Sequence, residues 1–152
     1  VYVDECGFDS ALIREYGRCL KSQRLLGERS GKRFARTSII AGLWQNKPVA
    51  PMYFEGYCNT EVVWTWVKEV FIPESKPGMV LVMDNASFHK SPRITELFTG
   101  AGVNLVFLPP YSPDLNPIEQ FWAKMKWALT SLIRLGQTLE ASLHAFFQNT
   151  TF

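Results

Sequence analysis

Three acidic residues sit where the chain changes direction. Asp4 closes an apolar opening ("VYVD"), Asp84 follows the unbroken apolar run "MVLVM", and Glu119 comes just after "SPDLNP", where a turn becomes a helix. A carboxylate at the end of a buried strand is costly unless a cation receives it. Three such oxygen donors, with no accompanying cluster of cysteine or histidine, favour a hard cation, Mg²⁺ or Mn²⁺, over zinc. Packed together without a cation they would repel one another. Two ions about 4 Å apart can activate a nucleophile and stabilise the leaving oxygen of a phosphodiester.

Each residue also has a plainer job open to it. Asp4 and Asp84 can cap the turns that follow them, Asp84 with help from Asn85. With Asn116 as N-cap and Pro117 at the first helical position, Glu119 falls third in its helix. There it can reach back to the Asn116 amide as a capping box. Local spacing leaves both readings standing.

The elements that must position these groups follow from periodicity. Val1–Asp4 reads as a short strand, and Thr37–Leu43 and Val49–Phe54 flank the turn-bearing "WQNKP" as an antiparallel pair. Asn59 or Thr60 starts a helix that runs to about Phe71 and is ended by Pro73. Met79–Met83 has the pattern of a central strand covered on both faces. A helix over Pro92–Thr99 stops at Gly100, and Val103–Phe107 is a further strand. One helix opens at Pro117 and a last amphipathic one at Thr138. Strands alternating with helices in the second half require right-handed crossovers and parallel pairing. The expected fold is therefore α/β, a mixed five-stranded sheet with helices on both faces.

If the first strand is central and Met79–Met83 lies parallel beside it, Asp4 and Asp84 emerge at the same edge, where open α/β sheets gather functional groups. On the helix after Pro117, Ile118, Phe121, Trp122, Met125, Leu129 and Leu132 form the apolar face at about 100° per residue. Glu119 lies on the border of that face and can look into a cleft; Gln120 cannot. Trp127 falls opposite it, as a partner contact or under a second layer such as the last helix. Glu5 alternates away from Asp4 and points elsewhere, and Asp114 serves the turn before Pro117.

With 152 residues, 47% of them hydrophobic, the chain is long enough for one domain with a substantial core. No apolar run approaches the roughly 20 residues that span a bilayer, so no membrane association is expected. The three cysteines, Cys6, Cys19 and Cys58, form no C-x-x-C pair, which fits a reducing cytoplasmic setting. Because the chain starts at Val1 within a strand, it reads as a piece of a longer protein. The net charge of +2 is spread unevenly: Arg14, Arg18, Lys21, Arg24, Arg29, Lys32, Arg33 and Arg36 make up half of the 16 basic residues. Such a run is either a solvated loop or a phosphate-binding flank.

"VDECGF", "VMDNASFHKS" and "LPPYSPDLNPIEQFWAKMK", with 34 residues between Asp84 and Glu119, together resemble the catalytic domain of DDE transposases. The branch resembled is the bacterial insertion-sequence part of the mariner superfamily, and "FEGYCNTEVVWTWVKEV" extends the likeness over nearly the whole chain. The resemblance implies a ribonuclease H-like fold and Asp4, Asp84 and Glu119 as ligands of Mg²⁺ or Mn²⁺, two ions in all. It implies DNA as partner, cut at element ends and joined into TA sites, with a homodimer as the active complex in a bacterial nucleoid. Upstream helix-turn-helix domains of the family are absent from this chain, so the whole of it, 1–152, is expected to be one catalytic domain. Arg24, Arg29, Lys32, Arg33 and Arg36 become the expected DNA contacts. Asn85 and His89 become auxiliary candidates, His89 to orient a phosphate, move a proton, or hold the turn by bonding a carboxylate. Two rivals remain: a ribonuclease H-like nuclease without strand transfer, and an inactive remnant that only binds.

Overall fold

The computed structural model describes residues 1–9, 36–110 and 112–150. Five strands form one mixed sheet in the order β3-β2-β1-β4-β5: β1 Tyr2–Asp9, β2 Arg36–Trp44, β3 Lys47–Glu55, β4 Val80–Met83 and β5 Asn104–Phe107. β1 is central, antiparallel to β2 and parallel to β4, and β4 is parallel to β5. The hairpin between β2 and β3 turns at Gln45 and Asn46, both with positive φ (50° and 63°), the conformation that suits the twist of two-residue hairpins.

β1 runs five residues beyond Asp4, further than the strand expected over Val1–Asp4, because β2 continues to pair with it down to Asp9 opposite Arg36. Gly7 permits this. A Cβ there would collide with the Arg36 guanidinium, which lies across the strand and stacks 4.5 Å from the centre of the Tyr57 ring. On its other edge β1 pairs with the short β4 only at Tyr2 opposite Val82. Two residues further along both strands, Asp4 and Asp84 lie level, where β4 has ended and β1 has not.

Helices pack on both faces. On one, α1 (Thr60–Trp66) and α3 (Pro92–Gly100) pack Val63, Trp66, Ile94 and Phe98 against Val3, Ile40, Leu81 and Met83. On the other, α4 (Ile118–Arg134) and α5 (Leu139–Thr150) pack Ile118, Trp122, Met125, Leu129 and Leu143 against Cys6, Phe8, Ile39 and Ala41. This second face is covered only along β1–β3; there Val80 of β4 and Val106 of β5 stay 45% and 46% exposed, so β4 is not the doubly covered strand its apolar run predicts. Asn59 is the cap of α1, its Oδ1 accepting from the Val62 N–H at 3.0 Å. Pro73 does not end this helix. The stretch Val67–Phe71 widens into π-helical turns, with Ile72 N–H donating to the Val67 carbonyl, and a final turn, α2 (Ile72–Glu74), carries Pro73. The wider turn removes the i−4 clash by which proline breaks an α-helix. Trp127 is 71% exposed, so α5 does not cover it; α5 instead follows Phe121, whose ring meets those of Phe146 and Phe147.

Candidate active site

The three carboxylates come from three elements and reach one place. Asp4, Asp84 and Glu119 line a single open cleft of about 410 Å³, together with Asn85, Ser112, Asn116 and the stretch Leu108–Pro110. The backbone draws its rim together: Leu108 N–H, at the end of β5, donates to the Met83 carbonyl at the end of β4 (2.8 Å).

Asp4 faces α4. Its Oδ2 accepts a 3.0 Å hydrogen bond from Trp122 Nε1, which satisfies the one polar atom of a buried indole and ties strand to helix. Burial, then the negative charges of Glu5, Glu119 and Asp84, push the Asp4 carboxyl up to about 8. Cys6, two residues along the same face, has its thiol raised by burial and opposed by the nearby Lys126 ammonium.

Asp84 is held differently. Its Oδ1 accepts from the Ala86 N–H at 3.0 Å and lies 2.7 Å from His89 Nδ1. This second approach is off line for a hydrogen bond and is best described as a close ionic contact. His89 is fully buried in the 3₁₀ turn Ser87–Lys90, and its Nε2 lies 2.6 Å from Glu5 Oε1. Burial works to lower the imidazole's pKa, but Asp84 and Glu5 outweigh it and lift it to about 9. In return, the contact with His89, more than any other influence, holds Asp84 below the usual carboxylate range.

Glu119 stands on the exposed first turn of α4. The expected capping box is not formed. The Asn116 side chain turns inward, its Nδ2 donating to the Val3 carbonyl at 3.4 Å, and its Oδ1 is buried without a partner. What remains of the cap is backbone: Glu119 N–H donates to the Asn116 carbonyl at 3.1 Å. The reason is position, since Asn116 is buried beneath the start of the helix, where a β1 carbonyl competes for its amide. The three carboxylates share the cleft without closing on one point. Among the described residues, no three His, Cys, Asp or Glu side chains are arranged to hold one ion together.

Asn85 lines the cleft as an auxiliary candidate would; His89 does not, and Asp114 lies outside it, exposed in the turn Pro113–Leu115. Of the DNA-contact candidates only Arg36 is among the described residues, and it packs on Gly7 and Tyr57; Arg24, Arg29, Lys32 and Arg33 lie outside them. Sequence reasoning missed two participants. Glu5 does point away from Asp4, as alternation requires, but toward His89. The helical period marks Trp122 only as core, although a buried indole N–H usually finds an acceptor.

Comparison with known proteins agrees with this architecture. Residues 1–140 match the DDE superfamily endonucleases. A protein of Sinorhizobium fredii (strain NBRC 101917 / NGR234), uncharacterized protein y4pE/y4sA, is 34% identical over 71 residues, which is 46% of this chain and 50% of that one. The crystal structure of the Mos1 strand transfer complex superposes with a TM-score of 0.65 at 14% identity, covering 97% of this chain and 45% of that chain. The catalytic core domain of BIV integrase superposes with a TM-score of 0.50 at 16% identity, covering 77% and 75%. The chain thus spans about half the length of the curated relative and less than half of the Mos1 chain. The fold is ribonuclease H-like.

Proposed function

The chain belongs to the DDE superfamily of endonucleases, and from that premise we propose that it is a transposase catalytic core of the mariner superfamily's bacterial insertion-sequence branch. Its reaction is cleavage of DNA at element ends and strand transfer into TA sites. The observation that carries this reading is the cleft itself: Asp4, Asp84 and Glu119 line it, and Asp4 is raised to about 8 by burial and by its acidic neighbours. Hard oxygen donors with unbalanced charge fit Mg²⁺ or Mn²⁺, and DDE endonucleases use divalent metal ions.

Asp4, Asp84 and Glu119 would hold the ions, which supply nucleophile activation and leaving-oxygen stabilisation when bound. The chain's own part is placement. Trp122 fixes Asp4, the Ala86 amide and His89 fix Asp84, and exposed Glu119 is the ligand left to adjust when substrate arrives. Asn85, on the cleft wall, offers a neutral hydrogen-bonding contact to a phosphate. The basic composition of the Arg14–Arg36 run supports DNA as the partner, because phosphate contacts need only positive charge. Choice of element ends belongs to segments outside this catalytic domain, and two copies act together on two ends. Among the described residues no helix is long and apolar enough to cross a membrane.

The test is Mg²⁺-dependent nicking of end-containing DNA, followed by joining to a TA target. Asp84→Asn and Glu119→Gln are expected to lose at least about a hundredfold in cleavage. Because no capping bond rests on Glu119, the glutamine variant should keep its stability within about 0.5 kcal/mol in thermal melts. Parental cleavage by Glu119→Gln would remove it from the site. Cleavage without joining would make the protein a nuclease of the same fold.

A further inference from the structure

Behind the cleft, on the opposite face of β1 from Asp4, lies a chain of polar groups of which the proposed mechanism uses only the last link, His89 to Asp84. Glu5 Oε1 meets His89 Nε2 at 2.6 Å, and His89 Nδ1 meets Asp84 Oδ1 at 2.7 Å. The imidazole is fully buried, and Glu5's side chain is 13% exposed. Neither residue lines the cleft. Cys58 Sγ donates to the same Glu5 oxygen at 3.3 Å, and the Phe88 ring packs edge-on to the imidazole at 4.5 Å, so the histidine is held at both nitrogens and on its face.

We propose that Glu5 and His89 are positioning residues that set the orientation of Asp84 and its spacing from Asp4 for a divalent cation. The inference rests on the metal-site reading above. Its geometric basis is a closed circuit. Asp4 and Glu5 are consecutive on β1, β1 is paired to β4 through Tyr2 and Val82, and Asp84 follows β4 directly. The Glu5–His89–Asp84 link closes the circuit from behind. Two carboxylates on adjacent strands are thereby fixed relative to each other by backbone pairing on one side and by a side-chain strut on the other. Both contacts to Asp84 found among the described residues fall on Oδ1, which leaves Oδ2 for a cation. A histidine needed only for packing would be satisfied by one carboxylate; here it spans two, from segments 79 residues apart (84 − 5). Outer hydrogen-bond partners of metal-binding carboxylates commonly govern affinity about 10- to 100-fold.

The experiment is Mn²⁺ binding to the 152-residue chain, followed by electron paramagnetic resonance and calorimetry, with Ca²⁺ binding and thermal melts run alongside. His89→Gln should weaken Mn²⁺ binding about 10- to 100-fold. Glu5→Gln is nearly isosteric and keeps an oxygen toward Nε2, so it should weaken binding less, about three- to tenfold. Cys58→Ala, which touches Glu5 but not the histidine, should stay within about twofold. Loosened carboxylates should also discriminate less against the larger Ca²⁺, so the Mn²⁺/Ca²⁺ affinity ratio should fall in both strut variants. If His89→Gln does not fold, Glu5→Gln decides alone. The inference is overturned if folded Glu5→Gln and His89→Gln bind both ions as wild type does, whatever their melting temperatures, while Asp84→Asn loses Mn²⁺. If the wild type takes up no Mn²⁺, or Asp84→Asn binds it unchanged, the metal-site reading fails and this inference falls with it.

Discussion

On β1, Asp4 faces α4 and the open cleft, while Glu5, one residue on, faces the other side of the sheet and meets the His89 imidazole. The two carboxylates share a strand and differ in what answers their charge. Asp4 has an indole N–H and acidic neighbours, and is driven up to about 8. Glu5 has an imidazole, itself lifted to about 9 by Asp84 and Glu5 against the opposing effect of burial. On one face of the strand a carboxylate meets an imidazole; on the other it meets an indole N–H and further carboxylates. Burial alone therefore does not define the candidate site; the company each carboxylate keeps does.

The comparison is tested most severely by removing the answering charge. His89→Ala leaves Glu5 and Asp84 facing each other across an emptied buried space, and loss of one partner of a buried ion pair costs about 3–5 kcal/mol. Chemical denaturation should register a loss of that size, and a loss under about 1 kcal/mol would mean that water or another group replaces the imidazole.

The neighbours should next differ in sign. Asp4's folded value of about 8 lies above its ordinary 3.8, so the folded state binds the extra proton. That contribution is full below about pH 4 and lost as pH rises through about 8. His89, at about 9 against an ordinary 6.5, behaves alike: full below about 6.5, lost through about 9. Metal-free protein should therefore melt at falling temperatures from pH 7 to pH 9, and Mg²⁺ should offset the part due to Asp4. At pH 9, Asp4→Asn should raise the melting temperature of metal-free protein by about 1 kcal/mol or more in stability, roughly 2–4 °C per kcal/mol. Glu5→Gln should lower it. Shifts of the same sign would erase the distinction between the two faces.

Much of this was legible in the sequence, for reasons that can be named. "MVLVM" reads as a strand, and the alternation after it forces parallel pairing, so the meeting of Asp4 and Asp84 follows from topology; the expected cover on both faces does not, since Val80 stays exposed. The border position of Glu119 followed from helical period. What stayed hidden depended on partners distant in sequence. β1 extends past Asp4 only because β2 is there to pair with it, with the Arg36 guanidinium lying across Gly7. Pro73 reads as a stop unless the π-helical widening before it is known. Asn116 has every local mark of a cap, and a β1 carbonyl claims its amide instead. Alternation places Glu5 on the far face but cannot say that His89 meets it there.

The smallest effect probes the other side of β1. Trp122→Phe keeps the ring in the core and removes only the N–H that Asp4 accepts. Since Asp4 is mostly protonated near neutrality, the bond lost is one to a neutral group, and the cost should be about 1 kcal/mol. A cost above about 3 kcal/mol would show that Asp4 is ionised there, contrary to the contrast drawn with Glu5.

The Trp122–Asp4 bond also joins residues 118 positions apart, which bears on how the protein comes into being. On the ribosome Asp4 emerges before β4 delivers Asp84, and α4 brings Glu119 only 115 residues after Asp4 (119 − 4) and Trp122 three residues later. Closing so long a loop is entropically costly, and topologies dominated by distant pairings fold slowly. Until α4 docks, the acidic groups remain separately hydrated on an unfinished sheet. The nascent chain thus assembles its three-carboxylate cleft last, and the site exists only with completion of the fold.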